Sequence, residues 1–341
     1  MKAIVKDKPE AGATLQTVDI PQIGPRDVLV KVKAASICGT DLHIYNWDKW
    51  ASSRMNIPII IGHEMAGEVV EVGSEVESCK IGDYVSLECH KTCGICFQCR
   101  TGKGHICQNY TIQGVDFDGC FAEYVKVPEA NIWKNNPSIP PEIACLQDPM
   151  GNAVMAVLAD EITGKSVAVI GCGAIGLFAV GIARASGASK VYAIDLNEYR
   201  LNIAKKMGAD VILNPSNVDV TSVISQNTNK EGIDVVLEMS GNEIALHEGL
   251  KMVKNGGRVS LLGIPDEQVS LDLANEVVFK GITIVGITGR EIYGTWYKTS
   301  SFLSGGLDVS PIITHQLKLE DYEEGFEIMR SGQCGKVILY P

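Results

Sequence analysis

The stretch Ser166-Val-Ala-Val-Ile-Gly171-Cys-Gly173-Ala-Ile-Gly176-Leu-Phe-Ala-Val-Gly-Ile-Ala-Arg184, followed by Lys190-Val-Tyr-Ala-Ile-Asp195, decides the fold of this chain. Val167 to Ile170 is a short apolar run rich in β-branched residues, the composition of a strand covered on both faces. Gly171, Gly173 and Gly176 follow at once in the spacing G-x-G-x-x-G. In that spacing the first glycine permits a tight turn and the second lets backbone approach a pyrophosphate. The third lets the helix lie close to the strand. The helix N-terminus then offers unpaired N–H groups and a positive partial charge to the phosphates. Asp195 lies 19 residues past Gly176, where a carboxylate can hold a ribose 2′-hydroxyl. No Arg or Lys immediately follows Asp195 to meet a 2′-phosphate, so the stretch predicts NAD rather than NADP. The competing reading is a membrane span, because Ser166 to Ala183 carries no charge and is nearly long enough for one. Four glycines and the fit to a strand–turn–helix unit argue for the dinucleotide reading.

Outward from this unit, residues 151–290 alternate strands and helices. Apolar runs near Val211–Leu213, Asp234–Glu238, Arg258–Leu262 and Ile282–Val285 join those starting at Val167 and Val191. Six strands is the count of a full doubly wound dinucleotide fold, an α/β architecture with a parallel sheet. Residues 1–150 are β-rich instead. Val28–Lys33, Gly67–Val72 and Phe121–Val127 alternate and are bounded by Gly, Pro and Asp, as in an antiparallel, partly barrel-like domain. Ser331 to Tyr340 reads as one final strand returning to that first domain.

Composition bounds the partners. A chain of 341 residues suggests about two domains. With 45% hydrophobic and 21% charged residues it is an ordinary globular protein, and a net charge of −11 disfavours nucleic acid and anionic membrane as main partners. The start, Met1-Lys-Ala-Ile-Val-Lys, has no apolar targeting segment, so the expected location is the cytoplasm. Eleven cysteines are many for a reducing compartment, and their clustering points to metal rather than disulfides.

The densest cluster is Cys93-Gly-Ile-Cys96-Phe-Gln-Cys99-Arg-Thr-Gly-Lys-Gly-His-Ile-Cys107. Four thiolates within 15 residues can close a tetrahedral site with no open position, as structural zinc requires. An iron–sulfur cluster of the bacterial type wants three residues before its fourth Cys and a Pro after it, whereas here seven intervene and Gln108 follows. His105 could replace one Cys, but the four-Cys reading does not need it. A second set is scattered: Cys38-Gly-Thr40-Asp-Leu-His43, then Gly62-His63-Glu64, then Gln147-Asp148-Pro149. Cys, His and carboxylate are the mix of a catalytic zinc with one position left open. Each also has a plainer reading: Cys38 as a small core residue, His63 as a loop histidine, Asp148 as a helix cap. Spacing alone leaves both open.

These motifs, with Gly62-His63-Glu64-Met-Ala-Gly67, Gly82-Asp83-Tyr-Val85, Gly119-Cys-Phe-Ala-Glu-Tyr124 and Gly335-Lys336-Val-Ile, resemble end to end the zinc-dependent medium-chain dehydrogenase/reductase family of the alcohol dehydrogenase type. The resemblance implies a GroES-like catalytic domain from residues 1–150 and 291–341, with its zinc lobe at 89–107. It implies a Rossmann domain over 151–290, with the chemistry in the cleft between the two. It implies two zinc ions, a catalytic one on Cys38, His63 and Glu64 and a structural one on Cys93, Cys96, Cys99 and Cys107. Thr40 and His43 resemble a proton relay. Asp148 occupies a place near the metal where relatives often carry Glu or Cys, and could act through water or support the relay. NAD would be held by Gly171, Gly173, Ile175, Gly176, Asp195 and Arg200, and by backbone at Leu262, Gly263, Ile264, Gly286 and Ile287.

Stretches such as Tyr45-Asn-Trp-Asp-Lys-Trp50, Asp148-Pro-Met-Gly-Asn-Ala-Val154 and Thr295-Trp-Tyr-Lys298 narrow the likeness to a branch that oxidises the 3-hydroxyl of L-threonine to 2-amino-3-oxobutanoate. The alternatives are a polyol or diol dehydrogenase, which needs no partners for a carboxylate and an ammonium, and a non-catalytic NAD-responsive zinc protein. His90, Trp50 and Arg290 are candidate substrate-side residues. The apolar run Thr283–Gly286 reads as an edge strand that pairs with its twin, and the resemblance implies a homotetramer.

Overall fold

The computed structural model describes residues 1–341. The chain divides into two compact units. One comprises Met1–Asp148, Glu291–Ser300 and Ile313–Pro341, and the other Pro149–Arg290 and Ser301–Ile312.

The second unit is built on a six-stranded parallel sheet in the order Val211–Leu213, Lys190–Ile194, Ser166–Ile170, Ile233–Glu238, Val253–Leu261, Thr283–Gly286. Val167 pairs with both Val191 and Val235, so Ser166–Ile170 lies inside the sheet with its apolar side chains buried. From this strand the chain first winds one way, through Lys190–Ile194 to Val211–Leu213, then crosses back to Ile233–Glu238. That reversal is a topological switch point, and it opens beyond the C-terminal ends of the strands. The helices that follow are started by side chains. Asn197 accepts from the N–H groups of Tyr199 and Arg200, Asp219 from Ser222, and Asn242 from Ala245. Thr283–Gly286 is an edge strand of the sheet.

Residues 301–312 cluster with this second unit, whereas the sequence reading grouped them with the tail. The reason is packing. A Cβ added at Gly181, inside the helix Ala174–Ala185, would stand 3.4 Å from Leu307, so the segment lies directly on that helix.

In the first unit the main sheet runs Ile132–Lys134, Tyr84–Leu87, Met65–Val72, Asp27–Ser36, Lys336–Tyr340, Ile313–Lys318, with Tyr124–Pro128 also on Asp27–Ser36. A smaller sheet joins Thr14–Thr17, Lys2–Lys6 and Ile59–Ile60. Asp27–Ser36 is buried from Val28 to Val30, exposes Lys31 and Lys33 on either side of buried Val32, and is buried again from Ala34 to Ser36. The tail holds more than the one expected strand. Ile313–Lys318 is a strand, Tyr322–Ser331 a helix ended by Gly332 at φ 71°, and the last strand begins only at Lys336. The helix buries Tyr322, Gly325 and Phe326, a helical spacing legible in the sequence but overlooked beside five acidic residues from Glu320 to Glu327. Val337, Ile338 and Leu339 are fully buried, because their strand lies between two others.

Leu339→Ala is therefore expected to destabilise the protein by about 2–5 kcal/mol, the range for emptying a buried leucine site. Chemical denaturation, read as a lower midpoint at unchanged slope, checks this.

Candidate active site and metal centres

The strand Asp27–Ser36 delivers Cys38 to the N-cap of the helix Gly39–Asn46. Gly62 turns the chain at φ +92°, and a Cβ there would drive into the ring of Phe121. Only glycine makes that turn under the ring, and the turn presents His63 and Glu64 at the head of the strand Met65–Val72. A ligand atom of each of Cys38, His63 and Glu64 lies within 4.8 Å of the other two.

Buried groups orient this cluster. Asp41, fully buried, has Oδ2 on the backbone N–H of Cys38 at 2.9 Å and Oδ1 3.4 Å from His63 Nδ1. The carboxylate therefore faces Nδ1, as in the carboxylate–histidine arrangement of metal sites, where the other nitrogen meets the metal. Burial works against a protonated His63, but the charges of Asp41 and Cys38 outweigh it and hold the ring well above its ordinary pKa. Glu64 Oε2 accepts from Ser36 Oγ and from Lys336 Nζ, and Lys336 also donates to the Ile37 carbonyl at 2.8 Å. Burial lowers the Lys336 pKa, and Glu64 and Cys38 more than reverse that. Glu64 Oε1 is buried without a partner. An orphaned carboxylate oxygen beside a thiol and an imidazole is an arrangement that a bound cation satisfies, so these residues fit a zinc ion.

The other expected site residues lie on two helices, Thr40 and His43 on Gly39–Asn46 and Asp148 on Gln147–Val157. Thr40 is the second residue of the helix and does not cap it, since Cys38 holds that position. His43 is exposed on the same helix, and its Nδ1 meets Asp48 Oδ2 at 2.5 Å. Asp48 in turn caps the helix Lys49–Arg54 through the N–H of Ala51. Asp148 is buried in the first turn of Gln147–Val157 and is not one of the three residues whose ligand atoms converge. Sequence reading missed Ser36, Asp41, Asp48 and Lys336. Asp41 could have been found as the third residue after a capping Cys38. Nothing in the sequence links Lys336 to Glu64.

The four thiols of Cys93, Cys96, Cys99 and Cys107 converge in a lobe whose base is closed by the short pairing of His90–Lys91 with Thr111–Ile112. Sulfur separations are 3.4 Å for Cys96–Cys99, 3.5 Å for Cys93–Cys107 and 3.8 Å for Cys96–Cys107. A tetrahedral zinc with Zn–S of about 2.3 Å has S···S edges of about 3.8 Å, so the lobe has the right size for the ion. Backbone N–H groups aid the thiolates. Those of Cys99 and Gln108 push the Cys96 thiol down to about 6, and those of Ile95 and Cys96 lower Cys93. Burial and the neighbouring thiols push Cys99 up to about 11. His105 is not one of the four.

In the second unit the expected cofactor residues sit at or just beyond the C-terminal ends of parallel strands. Gly171 lies at φ +91°, with Ser240 so close that a Cβ would stand 2.9 Å from its nitrogen. A Cβ at Gly176 would overlap the carbonyl oxygen of Gly171, whereas one at Gly173 would meet nothing within 4 Å. The second glycine thus faces open space, where a ligand backbone can approach. Ile175 is partly exposed on the same turn. Asp195 latches this turn, accepting from Cys172 N at 2.6 Å and Asn197 N at 2.8 Å. The backbone of Arg200 is capped by Asn197, and its Nε has no partner. A cavity of about 560 Å³ opens here, lined by Gly171, Asp195, Leu196, Ser240, Asn242 and Ile244 among others. Leu262 and Gly263 donate to the Glu238 carbonyl, Ile264 is exposed, Gly286 is exposed, and Ile287 donates to the Leu261 carbonyl.

Hydride exchange with a dinucleotide and Lewis-acid activation of an alcohol are the chemistries these two kinds of site support, which is the combination of a metal-dependent dehydrogenase. Residues 24–140 match the family model described as alcohol dehydrogenase GroES-like domain, and residues 174–305 the one described as zinc-binding dehydrogenase. The chain is 54% identical, over its whole length and 99% of the relative, to L-threonine 3-dehydrogenase of Bacillus licheniformis. Among solved structures it superposes on alcohol dehydrogenase TADH from Thermus sp. ATN1 with a TM-score of 0.91 at 32% identity, covering 100% of this chain and 99% of the other. With 2R,3R-butanediol dehydrogenase from Bacillus subtilis the TM-score is also 0.91, at 29% identity and the same coverage. The chain belongs to the zinc-dependent medium-chain dehydrogenase family.

The glycine turn separates packing from binding. Gly176→Ala is expected to cost about 1–3 kcal/mol of stability by overpacking. Gly173→Ala should leave the melting temperature in place and weaken dinucleotide binding, read by titration of the nicotinamide coenzyme.

Proposed function

We propose that this protein oxidises the 3-hydroxyl of L-threonine with NAD⁺, giving 2-amino-3-oxobutanoate and NADH. The observation that carries this reading is the 54% identity, over the full chain, to an enzyme named for that reaction. The convergence of Cys38, His63 and Glu64 supports catalysis over a merely NAD-responsive binding role. In this reading Cys38, His63 and Glu64 hold a catalytic zinc and the four-thiol lobe a structural one, two ions per chain. Bound there, the catalytic ion supplies Lewis-acid activation of the hydroxyl, and NAD⁺ accepts the hydride.

The chain's own residues do the rest. Asp41 orients His63, while Ser36 and Lys336 hold one oxygen of Glu64 and leave the other to the ion. Thr40 and His43 carry the hydroxyl proton outward. The His43 side chain is 59% exposed, so it can pass the proton to water. Asp148 supports that relay or acts through water. Gly171, Gly173, Ile175 and Gly176 cradle the pyrophosphate, Asp195 and Arg200 serve the adenosine half, and backbone at Leu262–Ile264 and Gly286–Ile287 serves the nicotinamide. Asp195 repels a 2′-phosphate, which favours NAD⁺. His90 lies on the substrate side. The enzyme works in the cytoplasm; no helix in it is long and apolar enough to cross a membrane.

A diol or polyol substrate is the second reading, favoured by the shared fold of the butanediol enzyme but at 29% identity. NADH absorbance with L-threonine, sorbitol and 2,3-butanediol side by side decides between them. L-Threonine with NAD⁺ is expected to give the highest kcat/KM, and Cys38→Ser to abolish turnover without unfolding the protein. Equal efficiency with NADP⁺ would remove the role given to Asp195, and a preference for a diol would remove threonine.

We also propose a homotetramer. Thr283–Gly286 is an edge strand, and the preceding Leu273, Val278 and Phe279 are exposed apolar side chains, a liability unless covered. Light scattering at micromolar concentration should give a mass about four times that of one chain; a monomer would refute the assembly.

A further inference from the structure

Glu238 is a buried carboxylate that no step described so far uses. It is the last residue of the inner strand Ile233–Glu238, and it is paired on both sides, with Ile170 and with Leu261. Those two residues end the neighbouring strands. One is followed by the phosphate turn at Gly171, the other by Leu262–Ile264. The carboxylate therefore sits at the switch point, between the two backbone segments assigned to the dinucleotide. All its side-chain hydrogen bonds come from Ser240 and Gly241. Oε1 accepts from the Ser240 N–H at 2.8 Å, from the Ser240 hydroxyl and from the Gly241 N–H at 3.1 Å. Oε2 accepts from the Gly241 N–H at 3.2 Å. No cation pairs with it. A buried charge without a counter-ion is unfavourable, and here only a tight turn of N–H and O–H donors offsets that.

The turn that Glu238 holds touches both segments. On one side Met239 donates to the Ile170 carbonyl at 2.8 Å, and Ser240 lies so close to Gly171 that no side chain fits there. On the other side Gly241, at φ +69°, abuts Ile264, and a Cβ on it would stand 2.5 Å from the Ile264 carbonyl oxygen. A Cβ on Gly263 would overlap the Gly241 nitrogen and the Glu238 Oε2. Leu262 and Gly263 also donate to the Glu238 backbone carbonyl, at 2.9 and 3.1 Å. The Ser240 hydroxyl passes the constraint onward. It accepts from the Asn242 N–H at 3.1 Å, and Asn242 caps the helix Glu243–Met252. Ser240 and Asn242 both line the 560 Å³ cavity beside Asp195.

We infer that Glu238 is a positioning residue for the dinucleotide: it holds the Ser240–Gly241 turn as a spacer that sets the phosphate turn at Gly171 against the backbone of Leu262–Ile264. The inference rests on the NAD reading of those two segments. A long ligand bound at both ends needs their separation fixed before it arrives, because ordering them on binding subtracts from affinity. Backbone alone does not fix it, since the Ser240 and Gly241 N–H groups have no acceptor other than this carboxylate. A glutamine amide can offer its oxygen in place of Oε1. Its NH₂ then stands at Oε2 beside the Gly241 N–H, donor against donor. An aspartate keeps the charge but withdraws it from the turn by one methylene.

Coenzyme titration without turnover tests this, with calorimetry for NAD⁺ and coenzyme fluorescence for NADH. Glu238→Gln is expected to raise Kd about tenfold for both, the loss of one charge-assisted hydrogen bond at the turn. At saturating coenzyme kcat should change far less than Kd. Glu238→Asp should weaken binding to a similar degree, because reach and not charge is what the turn requires. A loss confined to NAD⁺ would indicate a direct charge contact with the oxidised ring and would overturn the positioning role. Normal binding by Glu238→Asp would overturn it too. So would a lowered melting temperature with unchanged Kd, which is what a purely structural carboxylate gives. Hydrogen exchange read by mass spectrometry supplies a measurement on the unaltered protein. The amides of Ser240 and Gly241 should exchange slowly there, and faster in Glu238→Gln. Fast exchange in the unaltered protein would overturn the latch even if neither variant folds. The two possible failures separate. Unaltered protein that takes up neither NAD⁺ nor NADH would overturn the dinucleotide reading, whereas normal uptake by it and by both variants would overturn the role of Glu238 alone.

Discussion

The buried ion pair of Lys336 with Glu64 is the interaction on which the first unit depends. Both side chains are almost wholly out of water, where an unpaired charge costs several kcal/mol. The cost is met by geometry: Lys336 begins the last strand of the chain, and that strand lies in the sheet between Ile313–Lys318 and Asp27–Ser36. Closing the sheet therefore delivers the counter-ion to Glu64. The same strand begins beside Ile37 and Ser36, whose carbonyl and hydroxyl complete the shell around Lys336 and Glu64. One carboxylate oxygen is left over, and it points the cluster's unmet demand toward a cation.

Carboxylates are used throughout as latches between neighbouring loops. Asp41 ties the Cys38 backbone to the His63 ring, and Asp48 ties the cap of one short helix to the His43 ring. Asp195 joins the glycine turn to the start of the next helix. Glu238 holds the N–H groups of Ser240 and Gly241 at the next strand end, and Glu88 holds His90 and Trp296. A carboxylate accepts from several donors at once and cannot be replaced there by an amide without turning one bond into a clash. Small-looking acidic positions therefore carry much of the orientation of the polar side chains.

The two metal centres differ in how legible they were, and the difference is chain entropy and reach. Cys93, Cys96, Cys99 and Cys107 lie within one loop, so their spacing already implies convergence. Cys38, His63 and Glu64 come from separate strand ends, and their meeting depends on the pairing of Ala35 with Met65 and on the turn at Gly62. Spacing left that trio undecided, and only resemblance connected it. The tail helix Tyr322–Ser331 and the grouping of residues 301–312 with the second unit escaped for a related reason. Both are set by packing, Phe326 against the first core and Leu307 against Gly181.

By itself the sequence determined what local sterics and short-range pattern can dictate. The parallel sheet follows from six β-branched runs between helices, the phosphate turn from three glycines that no other residue could replace without collision or loss of approach, and the thiol lobe from four close cysteines. What only the tertiary structure decided are contacts between residues far apart in sequence: Lys336 on Glu64, Trp296 on Glu88, Asp41 on His63. Each joins charged or polar groups whose partners are chosen by strand register and burial, and those have no signature in the residues taken one stretch at a time.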